Sequence, residues 1–174
     1  MKHLNSHFEI RHIVALEETN LVGNVYYVNQ IRWQGRCREL FLREHVPGML
    51  KELQEDLRLV TLRCSCEYFN EIGAFDELAI RMYPKRYAAD SPHRIELGFD
   101  IVRLSDGGEE LVARGEQDVA CMRRSGKEFV RCGFPESFTK AVDAYLTPRE
   151  GPVFATERSS SIPAVETRKN GALP

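Results

Sequence analysis

Residues 24–48 read NVYYVNQIRWQGRCRELFLREHVPG, and no proline interrupts the run from Val25 to Val46 before Pro47-Gly48 closes it. The pattern predicts one long helix with Asn24 as its cap. At about 100° per residue from Tyr27, the side chains of Arg32, Arg36, Glu39 and Arg43 gather between about 120° and 180°, a face that water would solvate. Tyr27, Val28, Ile31, Gly35 and Leu42 occupy the arc from 0° to about 100°, and Trp33, Cys37, Leu40 and Phe41 the arc from about 220° to 320°. Most of the circumference is apolar, so a sheet is expected to wrap this helix. Arg38 is the exception. It falls at about 20°, between Tyr27 and Ile31. A guanidinium there snorkels, pairs with a carboxylate such as Glu17 or Glu67, or meets a ligand.

Working outward, residues 8–14 alternate as a strand, and a loop over residues 17–24 follows. In it Gly23 is free to take positive φ, and Asn20 stands where a side chain bonds nearby backbone in turns, whatever else it does. Downstream, a short helix is expected over residues 49–55. Val60, Leu62, Cys64, Cys66 and Tyr68 then alternate on one strand face, as do Leu78, Ile80 and Met82, and Ile95, Leu97, Phe99 and Ile101. Ser105-Asp106-Gly107-Gly108 reads as a hairpin turn into a strand over residues 109–124, and Ser125-Gly126-Lys127 turns into a short strand over residues 128–131. Pro135 opens a last helix whose Phe138, Val142 and Tyr145 face the sheet. The fold class is α+β: an antiparallel sheet of five to six strands around one principal helix.

Composition narrows the function. With 174 residues, 43% hydrophobic and 29% charged, the chain fits one globular domain rather than a disordered segment. A formal charge of −2 offers no field for a phosphate backbone, so no nucleic-acid partner is expected. No apolar run approaches the roughly 20 residues of a membrane helix, and the first residues lack a secretory signal's apolar stretch. A cytoplasmic protein without a membrane partner is the expectation. The five cysteines include no CxxC pair and the histidines no HExxH, so neither a metal nor a cofactor is expected. Cys64 and Cys66 read as small residues of a reduced core. Residues 148–174 hold Pro148, Pro152, Pro163, Pro174 and Ser159-Ser160-Ser161, which predicts a flexible tail behind a domain over residues 1–147. There is no GxSxG elbow and no phosphate-binding glycine loop.

The stretch from Glu18 to Trp33, with its acidic residue, glycine turn, aromatic pair and later Trp, resembles the signature of hotdog thioesterases of the 4-hydroxybenzoyl-CoA type. The likeness extends over roughly residues 7–146 and implies a hotdog, a sheet curled around the long helix. Asn20 followed by Val22-Gly23-Asn24-Val25-Tyr26, then Trp33-Gln34-Gly35-Arg36-Cys37-Arg38-Glu39, is similar to the thioesterases that serve iterative enediyne polyketide synthases. In the broad family the position of Asn20 holds Asp, a nucleophile or base; in the enediyne branch it is Asn, and an arginine matching Arg38 reaches the same site. That resemblance implies an acyl thioester hydrolase releasing a linear β-keto polyene from an acyl carrier protein, followed by decarboxylation to a methyl ketone. It also implies homo-oligomeric assembly, with a dimer as the minimum and a tetramer by analogy.

An amide does not titrate in the relevant range, so the expected catalysis is polarisation rather than base attack. Asn20 would orient water or carbonyl. The Tyr27 backbone N–H would meet the oxyanion at the helix start, and Arg38 would bind anionic character in the substrate or transition state. Gly23, Asn24, Tyr26, Ile31, Trp33, Phe41 and Leu42 are the expected substrate-binding residues, the last three lining a polyene channel. The rivals are a general acyl-CoA thioesterase using Glu17 or Glu18 as base and a non-catalytic acyl-binding hotdog. A dehydratase is weaker, because His12, His45 and His93 show no carboxylate partner in sequence.

Overall fold

The long helix, α1, spans Val28–His45. It begins three residues later than expected, and Asn24 is not its cap. The reason is local: Asn24 bridges Gly73, and the Val25 N–H bonds Ile72 O at 2.7 Å, so both residues belong to a small sheet-like clasp. Arg43 and His45 occupy the last turn, where positive charge suits the helix dipole. Pro47 cannot continue the ladder and instead opens α2, Pro47–Gln54.

The computed structural model describes residues 7–88 and 91–145; the predicted boundary at 148 and its tail lie outside them. The strands are β1 Phe8–Ile13, β2 Leu57–Tyr68, β3 Glu77–Ala88, β4 Ser91–Ser105, β5 Gly108–Ser125 and β6 Glu128–Arg131. They form an antiparallel sheet in the order β1-β3-β4-β5-β2, with β6 pairing the end of β5. A short turn of 3-10 helix, Leu16–Glu18, precedes α1, and α3, Glu136–Asp143, follows the sheet. The sheet curls far enough for α1 to touch β1, β2, β3 and β5. Trp33, Cys37, Phe41 and Leu42 are buried against Leu78, Ile80, Leu97, Phe99 and Val119, while Arg32, Arg36, Glu39 and Arg43 are exposed. Those two faces fall where the helical period puts them, whereas Tyr27, expected on an apolar arc, is exposed.

Strand β2 departs from simple alternation. A bulge between Thr61 and Arg63 leaves Leu62 without a partner on β5. Leu57, Leu59 and Thr61 therefore face α1 before the bulge, and Cys64, Cys66 and Tyr68 after it. Val60 and Leu62, expected on that face, are exposed, and so is Cys64. Opposite Cys66 on β5 stands Gly115, and fully buried Gln34 lies across it, donating from Nε2 to Ser65 O at 3.2 Å. A Cβ on Gly115 would stand 2.0 Å from Gln34 Nε2 and 2.4 Å from its Cδ. Because Gln34 is fully buried and its amide must shift to make room, Gly115→Ala is expected to cost about 1–3 kcal/mol. The reading is a lower urea midpoint at unchanged slope.

Candidate active site

Asn20 begins a tight turn. Its Oδ1 accepts the N–H groups of Val22 at 3.0 Å and Asn24 at 3.2 Å, and its own N–H bonds Asn24 O at 2.7 Å. Gly23 completes the turn at φ 89°, a conformation that penalises any side chain. The amide oxygen is therefore committed, and the Nδ2 group has no acceptor among the described residues. Asn20 is exposed and can act only as a donor.

Asn20, Asn24, Tyr26, Tyr27, Gln30 and Tyr68 border an open groove of about 420 Å³. The Tyr27 carbonyl accepts from Tyr68 Oη at 3.0 Å and from the Gln30 amide at 2.9 Å, the orientation that the two neighbouring carbonyls dictate. Burial, reinforced by the nearby Cys66, pushes the Tyr68 hydroxyl up to about 12, so it remains a donor. This clamp fixes the Tyr27 peptide. At the same helix end the Asn29 N–H is taken by Tyr26 O, whereas those of Tyr27 and Val28 have no acceptor among the described residues. Two unspent N–H groups and the helix dipole favour an oxyanion there.

Glu18 is not free to act as a base. Its Oε2 accepts from the Ala15 N–H and from His12 Nε2, each at 2.8 Å, and its Oε1 from Trp33 Nε1 at 2.8 Å. Burial works to raise its pKa, but the Ala15, Trp33 and His12 contacts outweigh it and hold the carboxyl below 4.5. His12 thus has a carboxylate partner that its sequence neighbourhood did not reveal, since the contact crosses from β1 to the turn. Trp33 is buried and bound to Glu18, outside the groove that Asn20 borders, and with His12, Arg32, Gly35 and Leu40 it lines a second open groove of about 790 Å³. Glu17 is exposed with no hydrogen bond among the described residues.

Arg38 lies roughly 16 Å further along the helix axis than Tyr27. Its Nη1 donates to Gln117 Oε1 at 2.8 Å and to Thr61 Oγ1 at 3.1 Å. Among the described residues no carboxylate pairs with it, neither Glu17 nor Glu67. Burial draws its pKa down, with exposed Glu39 opposing. Arg38 also borders an enclosed, apolar cavity walled by Phe8, Phe41, Met82, Leu97 and Phe138. That cavity measures about 10 Å³, room for a single water. Of the expected channel residues only Phe41 lines it; Leu42 is core, and Ile31 is half-buried outside the groove. The groove holds Asn20, Asn24, Tyr26 and Tyr27, and Arg38 borders a different cavity. Gln34 and Gln117 were missed by the sequence reading. On the same wheel Gln30 and Gln34 fall at about 300° and 340°, in the middle of the apolar arc, which was the available signal.

Asn20 and Tyr27 border one groove beside the start of the central helix, in a sheet curled about that helix, which is the architecture of the hotdog thioesterases. The chain belongs to the thioesterase-like superfamily, whose family model matches residues 14–159, and it is an acyl thioester hydrolase. Among solved structures, the dynemicin thioesterase, studied for induced-fit and allosteric effects on polyene binding, is 43% identical, with a TM-score of 0.75, over 80% of this chain and 96% of that one. A 1,4-dihydroxy-2-naphthoyl-CoA thioesterase from Synechocystis is 18% identical, with a TM-score of 0.67, over 82% and 99%. The 4-hydroxybenzoyl-CoA thioesterase of Pseudomonas sp. strain CBS-3 is 16% identical, with a TM-score of 0.65, over 78% and 98%. The last two show a shared fold. No curated protein sequence matches the chain.

Proposed function

We propose that this hydrolase releases a linear β-keto polyene from the acyl carrier protein of an iterative enediyne polyketide synthase, in the cytoplasm and without a cofactor. The relationship to the dynemicin thioesterase supports the pathway, and the donor-only state of Asn20 carries the mechanism. The thioester oxygen receives hydrogen bonds from the Tyr27 and Val28 N–H groups and Asn20 Nδ2. Water attacks the carbonyl carbon, the C–S bond breaks, and the thiol leaves with a proton. The resulting β-keto acid passes its carboxyl proton to the keto oxygen as CO₂ departs, and the enol becomes a methyl ketone.

Arg38 reaches this centre from a second subunit. Strand β2 ends the sheet, its far edge is unpaired among the described residues, and Leu62 on it is 53% exposed. Edge-to-edge pairing of two copies would cover that strand and bring Arg38, bonded to Thr61 on it, to the interface. A dimer is the working unit and a tetramer its expected assembly.

Mass spectrometry after mixing the protein with an acyl-loaded enediyne synthase is expected to show a methyl-ketone polyene. Chain retention on the carrier would sink the reading, and turnover of acyl-CoA alone would favour the general thioesterase. The pH–rate profile separates the mechanisms. With no carboxylate base, kcat has no acid limb near pH 4–5. Asn20→Asp, which keeps the turn's acceptor, is expected to acquire one.

A further inference from the structure

Both hydrogen bonds of Arg38 leave from Nη1, and they use the two hydrogens that nitrogen carries. The edge formed by Nε and Nη2 has no partner among the described residues. It is the edge whose parallel N–H groups match a pair of oxygens.

Like Arg32, which bonds Asn29 Oδ1, and Arg58, which bonds backbone carbonyls, Arg38 takes neutral acceptors where most bonded arginines take carboxylates. Arg81 binds Glu9 and Glu109, Arg94 binds Asp118, Arg103 binds Asp76 and Glu110, Arg114 binds Asp100, and Arg123 binds Glu52 and Asp56. Arg38, inside the curl of the sheet, is met by an amide and a hydroxyl instead. On β5 Gln117 stands between Glu116 and Asp118, whose side chains point to the opposite face and pair with Lys85 and Arg94. A glutamate at 117 would match the size and reach of Gln117, but it would cancel the charge of Arg38. Thr61 holds its place because the bulge falls just after it.

We infer that Gln117, assisted by Thr61, is a positioning residue. It fixes Nη1 without neutralising it, and so presents the Nε–Nη2 edge of Arg38 to a two-oxygen anion, a carboxylate or β-keto enolate on an apolar chain. This rests on the role given to Arg38 above and extends it to the group that holds it.

Octanoate and octanol, titrated calorimetrically into the full-length protein, test it. Wild type is expected to bind octanoate the more tightly. Gln117→Glu is expected to weaken octanoate at least about tenfold, leave octanol affinity in place, and cut kcat on a β-ketoacyl thioester, all at an equal or higher Tm. A purely structural Gln117 would not separate the two ligands. Should the Glu variant fail to fold, Gln117→Met removes the acceptor without adding charge, and a lower octanoate affinity with octanol affinity kept is again the expected result. Wild-type octanoate affinity and turnover in a folded Gln117 variant would overturn the inference. The same result in Arg38→Met would instead remove Arg38 from the proposed site.

Discussion

Arg38→Met is expected to lower kcat on a β-ketoacyl thioester by about 10²–10³ while Tm stays level or rises. Both halves follow from the same facts. The guanidinium is largely buried, is held by neutral acceptors, and meets no carboxylate among the described residues. Removing it strands no opposing charge, and the desolvation cost it relieves offsets two lost hydrogen bonds and a buried Gln117 oxygen left without its donor. Arg103→Met is the control. It abandons Asp76 and Glu110 on the outer face, and should destabilise the sheet without that loss of turnover. A fall in Tm for Arg38→Met with specific activity retained would make Arg38 a structural cation.

That contrast was half visible in the sequence. The helical period set Arg38 apart from Arg32, Arg36, Glu39 and Arg43, and the structure exposes those residues while drawing Arg38 inward. The period could not say what would meet it, because Thr61 and Gln117 are brought there by strand pairing. Hydrophobic patterning also passes over glutamines, so the polar seam of Gln34 and Gln117 inside the curl went unread. The strands β3 and β4 were legible because Leu78, Ile80 and Met82, and Ile95 to Ile101 by twos, keep strict alternation into one core. Strand β2 was not, since one inserted residue reverses the faces on either side of Leu62. Asn24 was misread as a cap because its competing partner, Gly73, lies almost fifty residues away. Its place beside Asn20 in the groove was legible because that turn is local.

The second large effect is expected at Glu18. Its carboxylate joins β1 through His12, the turn through Ala15 and α1 through Trp33, and its carbonyl accepts from the Tyr26 N–H and from Asn29 Nδ2. Glu18→Gln turns an amide nitrogen toward donors that need an acceptor. With at least one buried N–H left unmet, a loss of about 3 kcal/mol and a fall in Tm of roughly 6–12 °C are expected. The folded protein holds the carboxyl's pKa below the ordinary glutamate value, so its contribution is whole above the unfolded pKa and fades as pH falls through the folded one. The stability gap between wild type and Glu18→Gln should therefore close in acid. Turnover will also fall at temperatures where the variant frays, since the Asn20 turn hangs from the same residue. Cooling until the variant is fully folded separates the two explanations: activity returns if Glu18 holds the loop, and stays absent if it was the base.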